Sequence, residues 1–354
     1  MIDLRSDILA PCPQEALTAM LAAASDPPGF GHKEDPHQRL LEEELSAAFG
    51  FEDALFVPTG TVANQIAIRV WCAPGEAIVA ERESHVATNE ASSTAGLNSV
   101  ALRLIAGEYG HLAPSSVARA LAAQDESSPG RKTCLVWLEN THNRAGGTVM
   151  PQRWMTELVD ICRSANVPIH VDGARVWNAA VASGTQLHEV ARGASSLTAS
   201  LNKAVGAPAG ALLMGSKEFI EEAARVQKMF GGLWRPVGML AAAAIIAARN
   251  FRPRTEADHE SARCFAAILD RRLGGSVSIT KPQTNIVMLD LSSPKHTEAL
   301  ISSLKGRGVA ASRYGDSRLR FVLHAGISAL RAAEAAECIA AEIVRFLSPD
   351  SQIR

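Results

Sequence analysis

The stretch SLNKAVGAP, residues 200–208, decides the fold, because it sets a single lysine among small and apolar residues. Lys203 is one of eight lysines among 35 basic residues, so its apolar setting is unusual for this chain. Upstream, in VPIHVDGAR at residues 167–175, an apolar run typical of a buried strand ends in Asp172. Two successive strands are therefore expected to end in an aspartate and in a lysine. A solvated loop lysine and an unrelated turn aspartate are the alternative.

This pair of side chains suits pyridoxal phosphate. A lysine amine can anchor that cofactor as a Schiff base, and an aspartate can keep the pyridine nitrogen protonated so that the ring accepts electrons. Arginine could not replace the lysine, because it stays protonated and is not nucleophilic. The sequence therefore predicts a pyridoxal phosphate site that depends on Lys203 and Asp172.

The composition favours a two-domain globular protein that binds neither nucleic acid nor membrane. The 354 residues are 47% hydrophobic and 20% charged, and a net charge of −2 gives no basic field for anionic partners. Six scattered cysteines without metal-binding spacing are expected to be reduced, mostly buried thiols of a cytoplasmic protein. No signal peptide, membrane-spanning run or metal site is expected.

Helical patterns alternate with short apolar runs over the first 250 residues. This alternation predicts an α/β fold, with a large, mainly parallel sheet and helices on both faces. We expect a large cofactor-binding domain at 1–250, beginning with an N-terminal arm, and a small α+β domain at 251–354, with a linker at 251–254. Strands are predicted at 76–80, 100–105, 134–138, 168–171, 197–201, 211–214, 285–291 and 319–323, and helices at 13–24, 38–49, 219–230, 238–249, 260–273 and 329–346.

Four further segments fit a cofactor site. Gly60 and Thr61 begin a predicted helix, where free N–H groups favour a phosphate, with ordinary N-capping as the alternative. His85 follows a predicted strand and is either a ring-stacking residue or a polar loop residue. ENTHN at 139–143 ends a strand at the edge where α/β sheets bind ligands, unless it is only a polar turn. Arg320 either binds a substrate carboxylate or occupies an edge strand.

Taken together, these segments resemble the low-specificity L-threonine aldolases, pyridoxal-phosphate enzymes of fold type I related to the β-eliminating lyases. The resemblance covers nearly the whole chain. The matching motifs are DLRSD at 3–7, EDP at 34–36, FVPTGTVANQ at 56–65, SH at 84–85, ENTHN at 139–143, GGT at 146–148, HVDGAR at 170–175, Lys203 with GAP at 206–208, KMFGG at 228–232 and RFVLH at 320–324.

The resemblance implies roles for the matched positions. The implied cofactor residues are Lys203 for the covalent link, Asp172 for the pyridine nitrogen, Arg175 near the ring's 3′-oxygen, His85 for stacking, and Gly60, Thr61 and Arg235 for the phosphate. Arg235 is expected to reach the phosphate from the neighbouring subunit, which implies a homodimer or homotetramer with shared active sites. Ser6, Arg175 and Arg320 are expected to bind the substrate carboxylate, and His142 is expected near the β-hydroxyl group.

The chain departs from the family pattern mainly on the substrate side. Phe30, at a substrate-binding position, replaces a tyrosine, and two residues are inserted at 32–33. ILAP at 8–11 replaces a threonine-rich segment, and ATN at 87–89 replaces aromatic residues. Bulky Leu233 and Trp234 replace smaller or more flexible residues, and Ala204 rather than glycine follows the lysine. We therefore expect the cofactor chemistry to be kept and the substrate preference to differ.

The resemblance implies an aldolase that cleaves the Cα–Cβ bond of a β-hydroxy-α-amino acid such as L-threonine or L-allo-threonine, giving glycine and an aldehyde. A transaldolase or a β-eliminating lyase would share the first steps and stays an alternative. A non-catalytic pyridoxal phosphate scaffold is disfavoured, because Lys203, Asp172 and Arg320 are all retained.

Overall fold

The computed structural model describes residues 1–27, 29–30, 33–123, 132–291 and 297–347. The chain divides into two compact units. The large unit comprises Cys12–Ala145 and Val149–Phe251, and the small unit comprises Met1–Pro11, Gly146–Thr148 and Arg252–Arg354. The N-terminal segment therefore belongs to the unit that is formed mainly by the C-terminal part of the chain.

Strands and helices alternate along the chain. The strands are β1 Ile2–Asp3, β2 Asp53–Val57, β3 Ala77–Glu81, β4 Ala101–Ile105, β5 Thr133–Glu139, β6 Ile169–Gly173, β7 Ser196–Ser200, β8 Ala211–Gly215, β9 Ser278–Ile279, β10 Ile286–Asp290, β11 Val309–Ala310, β12 Ser312–Arg313 and β13 Arg318–Val322. The helices are α1 Gln14–Ala23, α2 Pro36–Phe49, α3 Gly60–Trp71, α4 His85–Thr88, α5 Ala91–Asn98, α6 Pro114–Ala122, α7 Gln152–Ser164, α8 Val176–Ser183, α9 Leu187–Val190, α10 Lys217–Met229, α11 Gly238–Arg249, α12 Phe251–Leu273, α13 Thr297–Gly306 and α14 Ala329–Leu347.

The large unit is built on a seven-stranded sheet of order β2-β8-β7-β6-β5-β3-β4. The neighbours from β4 to β7 are parallel, whereas β8 runs antiparallel to both β7 and β2. Every residue of β3, β5, β6, β7 and β8 is buried, as expected for strands that are covered on both faces. The sheet is mostly parallel, as predicted, and β2 is an additional strand that the sequence pattern did not reveal.

The small unit has its own sheet and core. Its main sheet is antiparallel, in the order β12-β13-β10-β9, and β1 pairs in parallel with β11. Phe265 of α12 and Phe321 of β13 pack with ring centroids 5.4 Å apart, within a cluster of buried aliphatic side chains. Within the described part of the chain, none of the helices combines the length and the apolar character needed to cross a membrane.

The linker predicted at 251–254 is wrong. Helix α12 begins at Phe251 and continues to Leu273. Pro253 lies in the first turn, where backbone N–H groups have no partner within the helix, so proline removes no hydrogen bond there. The proline that suggested a break is therefore compatible with the start of a helix.

The prediction that all cysteines are reduced is also wrong, because Cys72 and Cys134 are joined by a disulfide. Cys72 immediately follows α3 and Cys134 lies in β5, so packing brings together residues 62 positions apart. No local spacing marks such a pair. Among the described residues, the other four cysteines are not disulfide-bonded. Disulfides are unusual in reducing compartments.

A buried carboxyl group, Glu42, connects α2 to β2. Its Oε1 accepts hydrogen bonds from Gln38 Nε2 at 2.9 Å and from the Phe56 amide at 2.8 Å. Its Oε2 is buried and has no hydrogen-bond partner among the described residues. Burial, which the two hydrogen bonds and Lys33 only partly offset, raises the pKa of Glu42 to about 7.

Replacing Glu42 by glutamine should therefore stabilise the protein in a pH-dependent way. An acid whose pKa is raised by folding costs stability above its unfolded pKa of 4.5, and the cost is complete above the folded pKa. We expect Glu42→Gln to raise the free energy of unfolding by about 3 kcal/mol near pH ~8 and by less than ~1 kcal/mol near pH ~5. Urea unfolding at both pH values measures this. Glu43→Gln, on the exposed side of α2, is the control, and an equal gain at both pH values would contradict the assignment.

Candidate active site

Asp172 lies at the end of β6, where it is 3% exposed. Its Oδ2 accepts a hydrogen bond from Asn64 Nδ2 at 2.9 Å, and its Oδ1 accepts one from the Ala174 amide at 3.1 Å. A buried carboxylate needs such partners, because desolvation of an unpaired charge is costly. Gly173 follows it, and a Cβ atom there would lie 2.6 Å from the Thr198 carbonyl oxygen, so close pairing with β7 requires glycine.

Lys203 lies at the same edge of the sheet. It follows the last residue of β7 by three positions and is half-buried. Because β6 and β7 are parallel and Asp172 is paired with Thr198, the two strands end side by side. The sequence prediction that one strand ends at Asp172 agrees with β6, whereas β7 ends at Ser200, three residues before Lys203.

Helix α3 begins against the end of β7. Thr59 caps the helix by accepting a hydrogen bond from the Val62 amide at 3.2 Å, so N-capping does occur at this position. A Cβ atom on Gly60 would lie 3.3 Å from Ser200 Oγ, which shows how closely the first turn approaches the strand. Thr61 is exposed. The helix start thus presents backbone N–H groups and a positive dipole, which suit a phosphate.

His85 begins α4 and is surrounded by carboxylates. Its backbone N–H donates to Glu139 Oε2 at 2.6 Å, and its Nδ1 lies 2.7 Å from Glu90 Oε1. One ring nitrogen of His85 and one carboxylate oxygen each of Glu90 and Asp172 all lie within 4.8 Å of one another. Burial lowers the pKa of His85, but the hydrogen bond to Glu90 and the charges of Asp172, Glu90 and Glu139 outweigh it, so the pKa is raised.

His142 is fully buried, and both of its ring nitrogens are engaged. Nδ1 accepts a hydrogen bond from the Ala145 amide at 3.1 Å, so Nε2 carries the proton and donates to Glu81 Oε2 at 3.1 Å. Burial lowers the pKa of His142, yet the charge of Glu139 and the hydrogen bond and charge of Glu81 raise it overall. These contacts hold the imidazole in one tautomer.

Arg175 and Arg235 lie in different surroundings within the large unit. Arg175 is 4% exposed, and its Nη1 donates to Asn143 Oδ1 at 3.3 Å. Arg235 is exposed, donates from Nη1 to the Phe30 carbonyl oxygen at 2.5 Å, and lies with its guanidinium carbon 5.1 Å from the centre of the Phe30 ring. The structure therefore brings the predicted phosphate residue Arg235 together with the predicted substrate residue Phe30.

Within the small unit, Arg320 and the Ser6 segment are in contact. Arg320 is 7% exposed, and its Nη2 donates to the Arg5 carbonyl oxygen at 2.8 Å. Its Nη1 donates to Tyr314 Oη at 2.7 Å, and its guanidinium carbon lies 4.2 Å from the centre of the Tyr314 ring. Ser6 caps the following 3-10 turn by accepting from the Ile8 amide at 3.3 Å.

The donor set at the end of β6 and β7 fits pyridoxal phosphate. It offers the Lys203 amine after β7, the buried Asp172 carboxylate in β6, the start of α3 for a phosphate and the His85 ring at the start of α4. Asn64 Oδ1 is buried beside Asp172 without a hydrogen-bond partner among the described residues, so the site has polar capacity that the chain itself does not use. Residues 3–294 match the model of the Beta-eliminating lyase family.

The chain belongs to that family.

Relatives within this β-eliminating lyase family support the resemblance stated from the motifs. The chain is 32% identical over 327 residues to low-specificity L-threonine aldolase 1 of Arabidopsis thaliana, with 91% of each chain covered. It is 35% identical over 337 residues to low specificity L-threonine aldolase of Escherichia coli (strain K12), covering 95% of this chain and 97% of the relative. The resemblance to the low-specificity L-threonine aldolases is therefore confirmed.

A solved structure of the threonine aldolase of Leishmania major has the same fold. It superimposes with a TM-score of 0.80 at 19% sequence identity and covers 96% of this chain and 98% of that one. The predicted fold class, an α/β fold of type I with a large, mainly parallel sheet and a small α+β part, is confirmed.

Sequence reasoning missed several residues that support the site of this family member. Asn64 lies in the matching motif at 56–65 without a predicted role of its own, although it contacts Asp172 directly. Glu90 and Glu81 were not singled out, although each is hydrogen-bonded to a predicted site histidine. Tyr314 was also missed. An acidic residue five positions after His85 was the one local feature that could have drawn attention to Glu90.

Proposed function

We propose that this protein is a pyridoxal-phosphate-dependent aldolase, a carbon–carbon lyase that splits a β-hydroxy-α-amino acid into glycine and an aldehyde. The observation that carries the proposal is that Asp172 lies at the end of β6 and that Lys203 follows the end of the paired strand β7. The relatives from Arabidopsis thaliana and Escherichia coli bear the name low-specificity L-threonine aldolase. Their names support a substrate of the L-threonine or L-allo-threonine type.

Pyridoxal phosphate, when bound, supplies an electron sink next to the substrate's Cα atom. In this proposal Lys203 anchors the cofactor, and Asp172 pairs with its ring nitrogen. Gly60 and Thr61 bind the phosphate at the start of α3. His85 lies on the ring face. The buried position of Asp172 strengthens its interaction with a protonated ring nitrogen, since opposite charges attract more strongly in a low dielectric.

The substrate carboxylate requires a cation, and Arg175 is the buried candidate of the large unit. A guanidinium presents a planar fork of N–H groups that matches a carboxylate, and burial strengthens that interaction. Binding of the carboxylate orients the amino acid, and orientation determines which bond at Cα is weakened. The roles of Ser6 and Arg320 in carboxylate binding, which the resemblance implies, stay predictions.

Cleavage of the Cα–Cβ bond requires a base for the β-hydroxyl proton, and we propose His142, directly or through water. Its Nε2 proton is donated to Glu81, so Nδ1 is the atom with the lone pair. The Ala145 amide donates to that lone pair at 3.1 Å. Proton uptake at Nδ1 therefore requires release of the Ala145 contact, and a typical hydrogen bond contributes about 1 kcal/mol.

We further propose a homodimer or homotetramer in which Arg235 binds the phosphate of the neighbouring subunit. Arg235 is exposed, and the nearby side chains of Phe30 and Trp234 are 83% and 43% exposed. Large apolar side chains next to an arginine are typical of protein–protein interfaces. The cytoplasmic location stays a prediction from the sequence.

The function is tested by cofactor binding and product analysis. We expect the purified protein to bind pyridoxal phosphate with a visible absorption band, and Lys203→Ala to lose the band and aldehyde release, because the covalent link needs an amine. Lys217→Ala, at the start of α10, is the matched control. Because Phe30, Leu233 and Trp234 are apolar, we expect L-phenylserine to be cleaved roughly 10-fold faster than L-threonine.

Each alternative gives a distinct result in the same assay. An unchanged band in Lys203→Ala would contradict the site. Release of ammonia and a keto acid without glycine would indicate a β-eliminating lyase. Exchange of added aldehyde into the amino acid without net release of glycine would indicate a transaldolase. L-Threonine or L-allo-threonine as the best substrate would mean that the apolar replacements do not govern specificity.

The shared site is tested by mixing two inactive variants. If Arg235 acts across the interface, a hybrid of Lys203→Ala and Arg235→Ala subunits contains one intact site, formed by Lys203 of one chain and Arg235 of the other. Co-refolded equal mixtures should then recover about a quarter of wild-type activity at limiting pyridoxal phosphate, because about half of the dimers are hybrids. Failure to recover activity, or a fully active monomer, would show that Arg235 does not act in trans.

The role of His142 is tested by separating cleavage from glycine proton exchange. His142→Phe should reduce cleavage of the β-hydroxy acid by roughly 10²–10⁴-fold, the usual contribution of a general base. Exchange of the glycine α-proton with deuterium, followed by NMR, should stay within about twofold, because glycine has no hydroxyl proton. His188→Phe, at an exposed histidine, is the control. Equal loss of both activities would assign His142 to binding or folding.

A further inference from the structure

A buried carboxylate, Glu90, lies beside the proposed cofactor site and is not part of any role assigned above. It precedes α5 and is 1% exposed. Its Oε1 lies 2.7 Å from His85 Nδ1 and accepts from Asn64 Nδ2 at 3.0 Å, while its Oε2 accepts from Gln65 Nε2 at 2.9 Å. Three side-chain contacts on one buried carboxylate fix its position.

Asn64 connects this carboxylate to Asp172. Its single amide nitrogen donates to Glu90 Oε1 at 3.0 Å and to Asp172 Oδ2 at 2.9 Å, so both N–H groups are used between two carboxylates. The reverse orientation would point the amide oxygen at both charges and be repelled. Because the amide cannot turn over, Asn64 holds Glu90 and Asp172 at a constant separation.

Gln65, which donates to Glu90 Oε2, is itself held by residues of α5. Gln65 Nε2 also donates to Thr94 Oγ1 at 3.2 Å, and Gln65 Oε1 accepts from Asn98 Nδ2 at 2.9 Å. Gln65, Thr94 and Asn98 are all buried. A chain of buried hydrogen bonds between α3 and α5 therefore supports the carboxylate.

We propose that Glu90 is a positioning residue that keeps His85 in its doubly protonated, cationic form, with a fixed ring orientation, and ties it through Asn64 to Asp172. The relevance of this to catalysis depends on the proposed function, in which His85 faces the cofactor ring. The carboxylate accepts a hydrogen bond from the Nδ1–H of His85, and because the ring is doubly protonated, Nε2 also presents an N–H group to the site and not a lone pair.

The charges around His85 agree with this assignment. Glu90 faces it from the start of α5, Asp172 from the end of β6 and Glu139 from the end of β5. Their attraction outweighs burial in raising the pKa of His85. Of these three groups, only Glu90 is hydrogen-bonded to the imidazole ring, whereas Glu139 accepts from the backbone of His85. Loss of the Glu90 charge should therefore be felt mainly by the ring.

The experiment measures the protonation of His85 directly, in the cofactor-free full-length chain. Glu90→Gln keeps an oxygen that can accept the Nδ1 proton but removes the charge. Nitrogen NMR of labelled histidines, with the His85 signal identified by its loss in His85→Gln, follows the titration. We expect the midpoint of His85 to fall by about one pH unit or more in Glu90→Gln, as is usual when an adjacent opposite charge is removed. Glu83→Gln, an exposed acid two positions from His85, should leave the midpoint unchanged.

An unchanged midpoint in Glu90→Gln, or an equal shift in Glu83→Gln, would overturn the proposal. If Glu90→Gln does not fold, the wild-type spectrum decides: both ring nitrogens of His85 must be protonated at neutral pH, and a neutral ring there would overturn the assignment. Neither measurement uses catalysis or cofactor, so a protein that lacks aldolase activity would refute the proposed function without affecting this result.

Discussion

The burial of the Asp172 charge is the constraint on which the site depends. A carboxylate that is 3% exposed is stable only when its oxygens have partners. Those partners come from separate elements: the Ala174 amide follows β6, and the Asn64 amide lies on α3. Helix α3 must therefore lie close to the end of β6, and its start must then lie against β7, where Gly60 approaches Ser200. The position proposed for a phosphate, at the start of α3, is thus a geometric consequence of pairing the aspartate.

Buried carboxylates with hydrogen-bond partners also occur at the ends of two neighbouring strands. In the sheet order β6-β5-β3, the strands end in or next to Asp172, Glu139 and Glu81, all of them buried. Each carboxylate accepts a hydrogen bond from at least one backbone N–H group. For Glu139 that group belongs to His85, and Glu81 also contacts the ring of His142. Three acids at one sheet edge produce a negative region that raises the pKa values of both histidines. A cationic lysine and a protonated ring nitrogen would be favoured in such a field.

The strand ends could be predicted from the sequence because each carries its own motif. An apolar run followed by Asp172, or by ENTHN at 139–143, encodes both burial and chemistry within a few residues. The partners could not be predicted in this way. Glu42 to Phe56 and Cys72 to Cys134 are contacts between elements, and only the packing of helices on the sheet determines which residues meet. The wrong linker prediction at 251–254 arose from a local signal and not from a missing contact between elements. A proline is excluded from a helix interior but accepted in its first turn.

Burial distinguishes the two site histidines, although each is paired with a glutamate. The side chain of His142 is fully buried, and the Ala145 amide donates to its Nδ1, so its tautomer is defined by a backbone group. The side chain of His85 is 36% exposed, and its Nδ1 faces the buried Glu90. A backbone N–H at Nδ1 requires a lone pair there, whereas a carboxylate at Nδ1 requires a proton. The first arrangement leaves the imidazole able to accept a proton after a local contact is released, and the second favours an imidazolium that can only donate. The two rings are therefore suited to different halves of a proton-transfer cycle.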